Sequence, residues 1–262
     1  MPTTDVERLQ KCAGRLLGKL RRTSRRWPVL PPGARVALAV SGGWDSLALA
    51  YLVAERNRRI SPRLRLHAVH VRLDAGGATT GLPVAVSSWL SGLGMETVEV
   101  DPRLDPAEMG EIDCFTCARA RRRTLLETAE ELGASHVALG HHADDVVETW
   151  LLALFYSGTG EVMPPVRSYF DGAVTLVRPL YELKSKELRR LGRLAAFPAP
   201  VEKCPRESEA RRERVREALA SFGRDQDVVR RHLFWSVVRQ LDSGADRTAR
   251  GKVTVQRTTE GE

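Results

Sequence analysis

Hydrophobic and polar positions along this chain follow two alternating rhythms. Val36 to Val40 is apolar at nearly every position, as a strand buried on both faces of a parallel sheet must be. Leu47, Ala50, Tyr51 and Ala54 then fall at helical spacing. The alternation continues with a strand near Leu64 to Val71, a helix near Pro83 to Leu93 and a short strand near Glu96 to Val100. A helix with Ala118, Leu125, Ala129 and Leu132 on one face leads into a strand at His136 to Leu139, and the next helix sets Val147, Trp150, Leu151 and Leu154 in register. This rhythm predicts an α/β fold with a doubly wound, mainly parallel sheet. A turn-rich passage holding Pro164 and Pro165 precedes a strand at Val174 to Val177, and the remainder reads as helix, with Val215, Ala218, Leu219 and Phe222 on one apolar face. Upstream, Val6, Leu9, Ala13 and Leu16 mark an amphipathic helix outside the sheet, and from Ser243 onward lost periodicity predicts a disordered tail.

Ligands of such sheets collect at the carboxyl ends of the strands, which places Ser41 to Ser46, Val71 to Asp74 and Gly140 to Asp145 around one crevice. The segment Ser41-Gly42-Gly43-Trp44-Asp45-Ser46 lies between a strand end and a helix N-terminus, where free amides and the helix dipole attract an anion. Gly42 and Gly43 allow close backbone approach, Ser41 and Ser46 donate hydrogen bonds, and Asp45 is placed to hold magnesium against phosphates. The bland reading is a tight strand-to-helix turn. The Gly-Lys-Ser/Thr ending of a Walker loop is missing. Gly140-His141-His142-Ala143-Asp144-Asp145 opens a later helix and concentrates imidazoles and carboxylates beside the same crevice. The acids serve either as helix caps or as magnesium ligands, and His-His-x-Asp-Asp also fits a transition metal; oxygen ligands next to a nucleotide favour magnesium.

Charge and cysteines sharpen this picture. The chain of 262 residues carries a formal charge of +8, with arginine concentrated at Lys11 to Arg26, Arg119 to Arg123 and Arg206 to Arg216. Such clustering suits a polyanion such as RNA, the alternative being solvated faces of an arginine-rich protein. No apolar run approaches a membrane span and the N-terminus lacks a secretory core, so a cytoplasmic location without membrane contact is expected. Of the cysteines, Cys12 lies on the apolar face of the first helix and reads as a packed residue. Cys114 and Cys117 begin a helix rich in arginine, which stabilises thiolates as metal ligands or nucleophiles, with a redox dithiol as competitor. Cys204 would complete a three-thiolate set; zinc would need Cys12 or a histidine as a fourth ligand, whereas an iron–sulfur cluster would keep one iron open.

The Ser-Gly-Gly-x-Asp-Ser segment resembles the signature of the PP-loop ATP pyrophosphatases, with Trp44 where sulfur-transferring members often carry lysine. Adding Cys114-Phe115-Thr116-Cys117, Gly140-His141-His142-Ala143-Asp144-Asp145, Met163-Pro164-Pro165, Arg178-Pro179-Leu180 and the late Cys204, the chain is similar to the tRNA 2-thiocytidine synthase (TtcA-like) family from roughly Arg35 to Phe222. Together these readings divide the chain into an N-terminal basic helical arm at 1–32, a PP-loop domain at 33–200, a C-terminal helical region carrying Cys204 at 201–242 and a disordered tail at 243–262. It implies ATP, Mg2+ and a 4Fe–4S cluster on Cys114, Cys117 and Cys204, with adenylation of a tRNA cytidine at C2, at position 32, and replacement of oxygen by sulfur. Ser41, Gly42, Gly43, Trp44, Asp45, Ser46 and Gly140 would then bind the nucleotide. Asp45, His141, Asp144, Asp145 and Arg121 would serve the chemistry, with His141 orienting phosphate or moving a proton. The partners it implies are tRNA, a cysteine desulfurase or other sulfur donor, and a second copy in a homodimer. The alternatives are a persulfide on Cys114 or Cys117, a tRNA(Ile)-lysidine synthetase or thiouridine-forming enzyme, and a catalytically silent tRNA-binding module.

Overall fold

The computed structural model describes residues 3–72, 81–103, 114–199 and 210–243. In chain order the elements are α1 (Thr3–Arg26), β1 (Arg35–Ala39), α2 (Trp44–Asn57), β2 (Arg65–Val71), α3 (Val84–Gly92), β3 (Glu96–Val100) and α4 (Cys114–Glu131). There follow β4 (His136–Ala138), α5 (Ala143–Ser157), β5 (Val166–Tyr169), β6 (Val174–Val177), α6 (Ser185–Leu194), α7 (Ala210–Ala220) and α8 (Gln226–Asp242). The strands form one sheet in the order β3-β2-β1-β4-β6-β5, parallel except for β5. β1 is central: Leu38 pairs with Ala68 on one side and Ala138 on the other. The chain winds outward from β1 through β2 to β3, then returns to lay β4 on the opposite side. The switch point, where an open α/β sheet parts its loops into a crevice, therefore lies between β1 and β4. Both polar motifs leave the sheet there.

The apolar runs behave as their periodicity demands. Val36, Ala37, Leu38, Ala68, Val69, Val137 and Ala138 are fully buried between helical layers. β5 falls within the passage read as turns. Its sequence Val-Arg-Ser-Tyr has no continuous apolar run, and it becomes a strand through antiparallel pairing of Val166 with Val177 and Tyr169 with Val174. The bend joining β5 and β6 places Phe170, Asp171 and Gly172 at positive φ.

α1, the N-terminal helix expected outside the sheet, packs as a layer against the core. Leu16 and Leu20 are fully buried and join the core around α2 and α6, and Cys12 is a packed residue beside them. Polar contacts complete the docking: Lys19 Nζ donates to Glu187 Oε2 at 2.6 Å. Burial pushes the Glu187 carboxyl up, but the Lys19 hydrogen bond and the Lys184 backbone N–H outweigh it and hold the pKa below the ordinary glutamate value. A depressed carboxylate stabilises the fold above its unfolded pKa and loses that contribution as pH falls through the folded pKa. Lys19→Met is accordingly expected to cost about 1–2 kcal/mol at neutral pH. Urea melts of both proteins should show that deficit shrinking below the ordinary glutamate range.

At the other end, Val215, Leu219, Phe234, Val237 and Val238 close a second cluster over Val146, Val147 and Leu151 of α5. Of the apolar face read in this segment, Val215 and Leu219 are buried, whereas Ala218 is exposed and Phe222 lies exposed beyond the end of α7. The expected tail lies outside the described residues beyond 243.

Candidate active site

The loop after β1 is shaped by its glycines and serines. Gly42 adopts φ +81°, a left-handed conformation that a side chain would strain. Ser46 Oγ donates to the Gly43 carbonyl at 2.8 Å and lies 3.3 Å from Ser41 Oγ, while the Gly43 N–H meets Ser41 Oγ at 3.4 Å. Gly43 caps α2 with no side-chain hydrogen bond to the first turn. The first-turn amides and the positive end of the helix thus face the crevice as a cradle for phosphate.

Trp44, expected to line this cradle, points elsewhere. Its ring lies against Gly192 of α6 and Phe197: a Cβ on Gly192 would sit 2.4 Å from Trp44 Cζ3 and 2.9 Å from Phe197 Cδ2. The tryptophan ring anchors the start of α2 to α6. Gly192→Ala should destabilise the protein by about 1–3 kcal/mol through overpacking. A double-mutant cycle with Trp44→Ala, read by denaturant melts, should recover much of that loss.

The second motif locks onto the first. A Cβ on Gly140 would stand 3.0 Å from the Asp45 carbonyl oxygen and 3.2 Å from the Ser46 nitrogen, so only glycine admits this backbone-to-backbone contact. His142 caps α5, its backbone N–H donating to Asp145 Oδ2 at 2.9 Å. Its buried ring lies 3.5 Å from Asp45 Oδ1 and 3.2 Å from Asp145 Oδ2. Burial works to discharge the ring, but the Asp45 hydrogen bond and the charges of Asp145, Asp45 and Asp144 hold its pKa up at about 9. The Asp145 backbone N–H also approaches Nδ1 at 3.4 Å, a contact suited to a neutral ring. The three carboxylates decide for the imidazolium.

The acids divide their work in a way the sequence does not reveal. Asp144, read as a magnesium ligand, is engaged by protein groups: Oδ2 accepts the Ser185 N–H at 2.8 Å and Oδ1 meets Arg230 at 3.4 Å. Arg230 and Arg216 also pair with the buried Glu148, tying α8 and α7 to α5. Asp145 is likewise engaged by the His142 cap. Asp45 differs, because among the described residues its buried Oδ1 meets only the His142 ring, at 3.5 Å. That oxygen, beside the phosphate cradle, fits magnesium, which takes one or two carboxylates and completes its shell with water and substrate phosphates. Among the described residues no group of three or more His, Cys, Asp or Glu side chains is arranged to hold a metal.

His141 faces a different environment from its neighbour. Arg178 Nε donates to His141 Nδ1 at 3.3 Å, and another guanidinium nitrogen of Arg178 donates to the Pro164 carbonyl. Burial and the Arg178 charge push the His141 pKa down to about 3. The ring is neutral at physiological pH and accepts the Arg178 hydrogen bond at Nδ1. Arg178 is itself buried, and burial lowers its pKa to about 10. The sequence reading gave Arg178 no site role; its signal was an arginine closing the apolar run Val174 to Val177 at the crevice end of a strand. Tyr181, fully buried, completes the arrangement by donating to the Met163 carbonyl at 2.7 Å.

His141 also lines a cavity of about 200 Å³ with Arg121, Arg122 and Leu125 of α4, Leu139 and Leu176. One turn earlier on α4, Cys117 is buried against Val71 at the end of β2 and Ala120. Cys114 stands at the helix start, one turn before Cys117. A Cys-x-x-Cys pair at a helix N-terminus is a thiolate donor set suited to an iron–sulfur cluster. Cys204 and Asp74 lie outside the described residues, so the expected convergence of three thiols is described only as far as Cys117.

The sheet order, the glycine-hydroxyl loop at the switch point and the acid-rich turn seated on it define a PP-loop protein, and the model of the PP-loop domain matches residues 17–221. Among curated relatives, the tRNA-cytidine(32) 2-sulfurtransferase of Anaeromyxobacter dehalogenans is 33% identical over 237 residues, covering 87% of this chain and 80% of its own. That of Shewanella halifaxensis is 31% identical over 225 residues, covering 84% and 72%. The chain belongs to the tRNA-cytidine(32) 2-sulfurtransferase family of PP-loop proteins. A shared fold is seen in the U34-tRNA thiolase NcsA of Methanococcus maripaludis, solved with its [4Fe-4S] cluster: TM-score 0.66, 22% identity, 88% of this chain and 80% of that one. No helix among the described residues is long and apolar enough to cross a membrane.

Proposed function

We propose that this protein uses ATP to activate the C2 oxygen of cytidine 32 in tRNA and replaces that oxygen with sulfur. The observation that carries the reading is the meeting, at one switch point, of the phosphate cradle and the His141 turn, with the Cys117 helix walling the adjoining cavity. The C2 oxygen attacks the α-phosphorus of ATP, the bond to the bridging oxygen breaks, and pyrophosphate leaves. A sulfur nucleophile then attacks C2, and AMP departs with the former base oxygen.

Each group in the crevice serves one of these steps. Ser41, Gly42, Gly43 and Ser46 hold the phosphates at the α2 N-terminus, and Asp45 would hold Mg2+, which would supply charge neutralisation at the phosphates. Gly140 keeps the second motif against that loop, and the charged His142 holds Asp45 in place. Arg121 at the cavity offsets the negative charge of the AMP phosphate joined to the activated base. A 4Fe–4S cluster on Cys114, Cys117 and Cys204 supplies sulfur-transfer chemistry when bound. The arginines of α1, α4 and α7 draw the tRNA backbone, whose target base leaves the stack to enter the crevice. Sulfur comes from a cysteine desulfurase or an equivalent donor, and the enzyme works in the cytoplasm as a homodimer.

Mass spectrometry of tRNA nucleosides from cells lacking this protein tests the reading. The expected result is loss of 2-thiocytidine, restored by the intact gene. Loss of lysidine or of a thiouridine, or an unchanged profile, would overturn it.

A further inference from the structure

The cavity beside His141 has a chemical bias. Among the described residues its polar side chains are those of Arg121, Arg122 and His141, and its remaining walls are apolar. Both arginines can only donate hydrogen bonds. Histidine is ambiguous by nature, since a neutral ring donates at one nitrogen and accepts at the other. Here the ambiguity is removed from behind. Arg178 does not line the cavity, yet its Nε–H is given to His141 Nδ1 at 3.3 Å, so Nδ1 carries no proton and Nε2 must carry it. Arg178 cannot turn away, because it is buried and also bound to the Pro164 carbonyl. The ring therefore presents Nε2–H as a donor.

We infer that this cavity is the pocket for the target base and that it selects cytosine over uracil, with His141 as a specificity-determining donor and Arg178 as the residue that fixes its tautomer. The inference rests on the proposed function and extends it to the discrimination of the substrate. At the edge that must be activated, cytosine offers two adjacent acceptors, O2 and N3. Uracil offers O2 beside an N3–H donor. A wall of donors pairs with both cytosine atoms, whereas against uracil it sets donor to donor and leaves buried groups unpaired, the arrangement by which polar sites discriminate most strongly. The apolar floor of Leu125, Leu139 and Leu176 gives a ring-shaped substrate contact without adding an acceptor side chain.

The test uses the full-length, anaerobically reconstituted protein and two anticodon-arm RNAs that differ only in cytidine or uridine at the target position. The wild type is expected to thiolate the cytidine arm. His141→Ala should narrow the ratio of kcat/KM for the two arms by about tenfold or more, and His141→Gln, whose amide can donate from a similar position, should recover most of it. Nitrogen NMR of the ligand-free protein should show the Nε2–H tautomer of His141 in the wild type and a mixture in Arg178→Lys. An unchanged selectivity in His141→Ala, or an Nδ1–H tautomer in the wild type, would overturn the inference while leaving the proposed reaction standing. A wild type that thiolates neither arm would overturn the reaction and this inference with it.

Discussion

Cys117→Ser is expected to abolish formation of 2-thiocytidine while leaving tRNA-dependent release of pyrophosphate from ATP within about threefold of the wild type. The two halves of the reaction use different walls of the crevice. In the proposed reaction activation rests on the loop after β1 and on Asp45, whereas Cys117 stands on α4, buried against Val71 and Ala120. Serine is nearly isosteric, and one hydroxyl in that position costs about 1–3 kcal/mol of stability at most. It cannot replace a thiolate toward iron or sulfur. Pyrophosphate release and nucleoside mass spectrometry on one reaction mixture separate the outcomes. Full thiolation by the serine variant would remove Cys117 from the sulfur pathway, and loss of both signals would place it in activation or folding.

Gly140→Ala should reduce kcat/KM for ATP about 100-fold, the scale of loss produced when reacting groups are displaced by an ångström. The added methyl would stand 3.0 Å from the Asp45 carbonyl oxygen, 3.1 Å from its carbon and 3.2 Å from the Ser46 nitrogen. These are backbone atoms that cannot rotate away. The substitution must push the phosphate cradle and the His142 turn apart, and with them Asp45 from the imidazolium that holds it. Stability should fall by less than about 3 kcal/mol, because the apolar cores flanking the sheet are untouched. ATP titration by calorimetry beside a urea melt distinguishes a displaced loop from a damaged fold. ATP affinity equal to the wild type would show that the two motifs need no such contact.

The two variants probe information of different kinds. Strands at Val36 to Val40 and Val174 to Val177, and the helices that follow the glycine-hydroxyl and His-His motifs, were legible because apolar periodicity and turn chemistry act between near neighbours. The crevice was legible too, since loops at the carboxyl ends of parallel strands have few places to meet. β5 was missed because its short sequence becomes a strand only when β6 offers an edge. The division of labour among the acids was missed for a related reason. Asp144 and Asp145 are adjacent and chemically alike, yet Ser185 and Arg230 approach one while His142 caps its helix through the other, and the buried Asp45 oxygen meets only the His142 ring among the described residues.

From the order of its residues alone, then, this chain declares an α/β sheet, a phosphate loop, a thiol pair and the family to which they belong, since each is written in residues a few positions apart. Folding alone decides that Trp44 turns to Gly192, that His141 is neutral while His142 is charged, and that Arg178 stands behind the active-site ring. Those outcomes depend on burial and on partners distant in sequence. Charge state and tautomer follow from the field and the hydrogen bonds at a point in space, which local sequence does not specify.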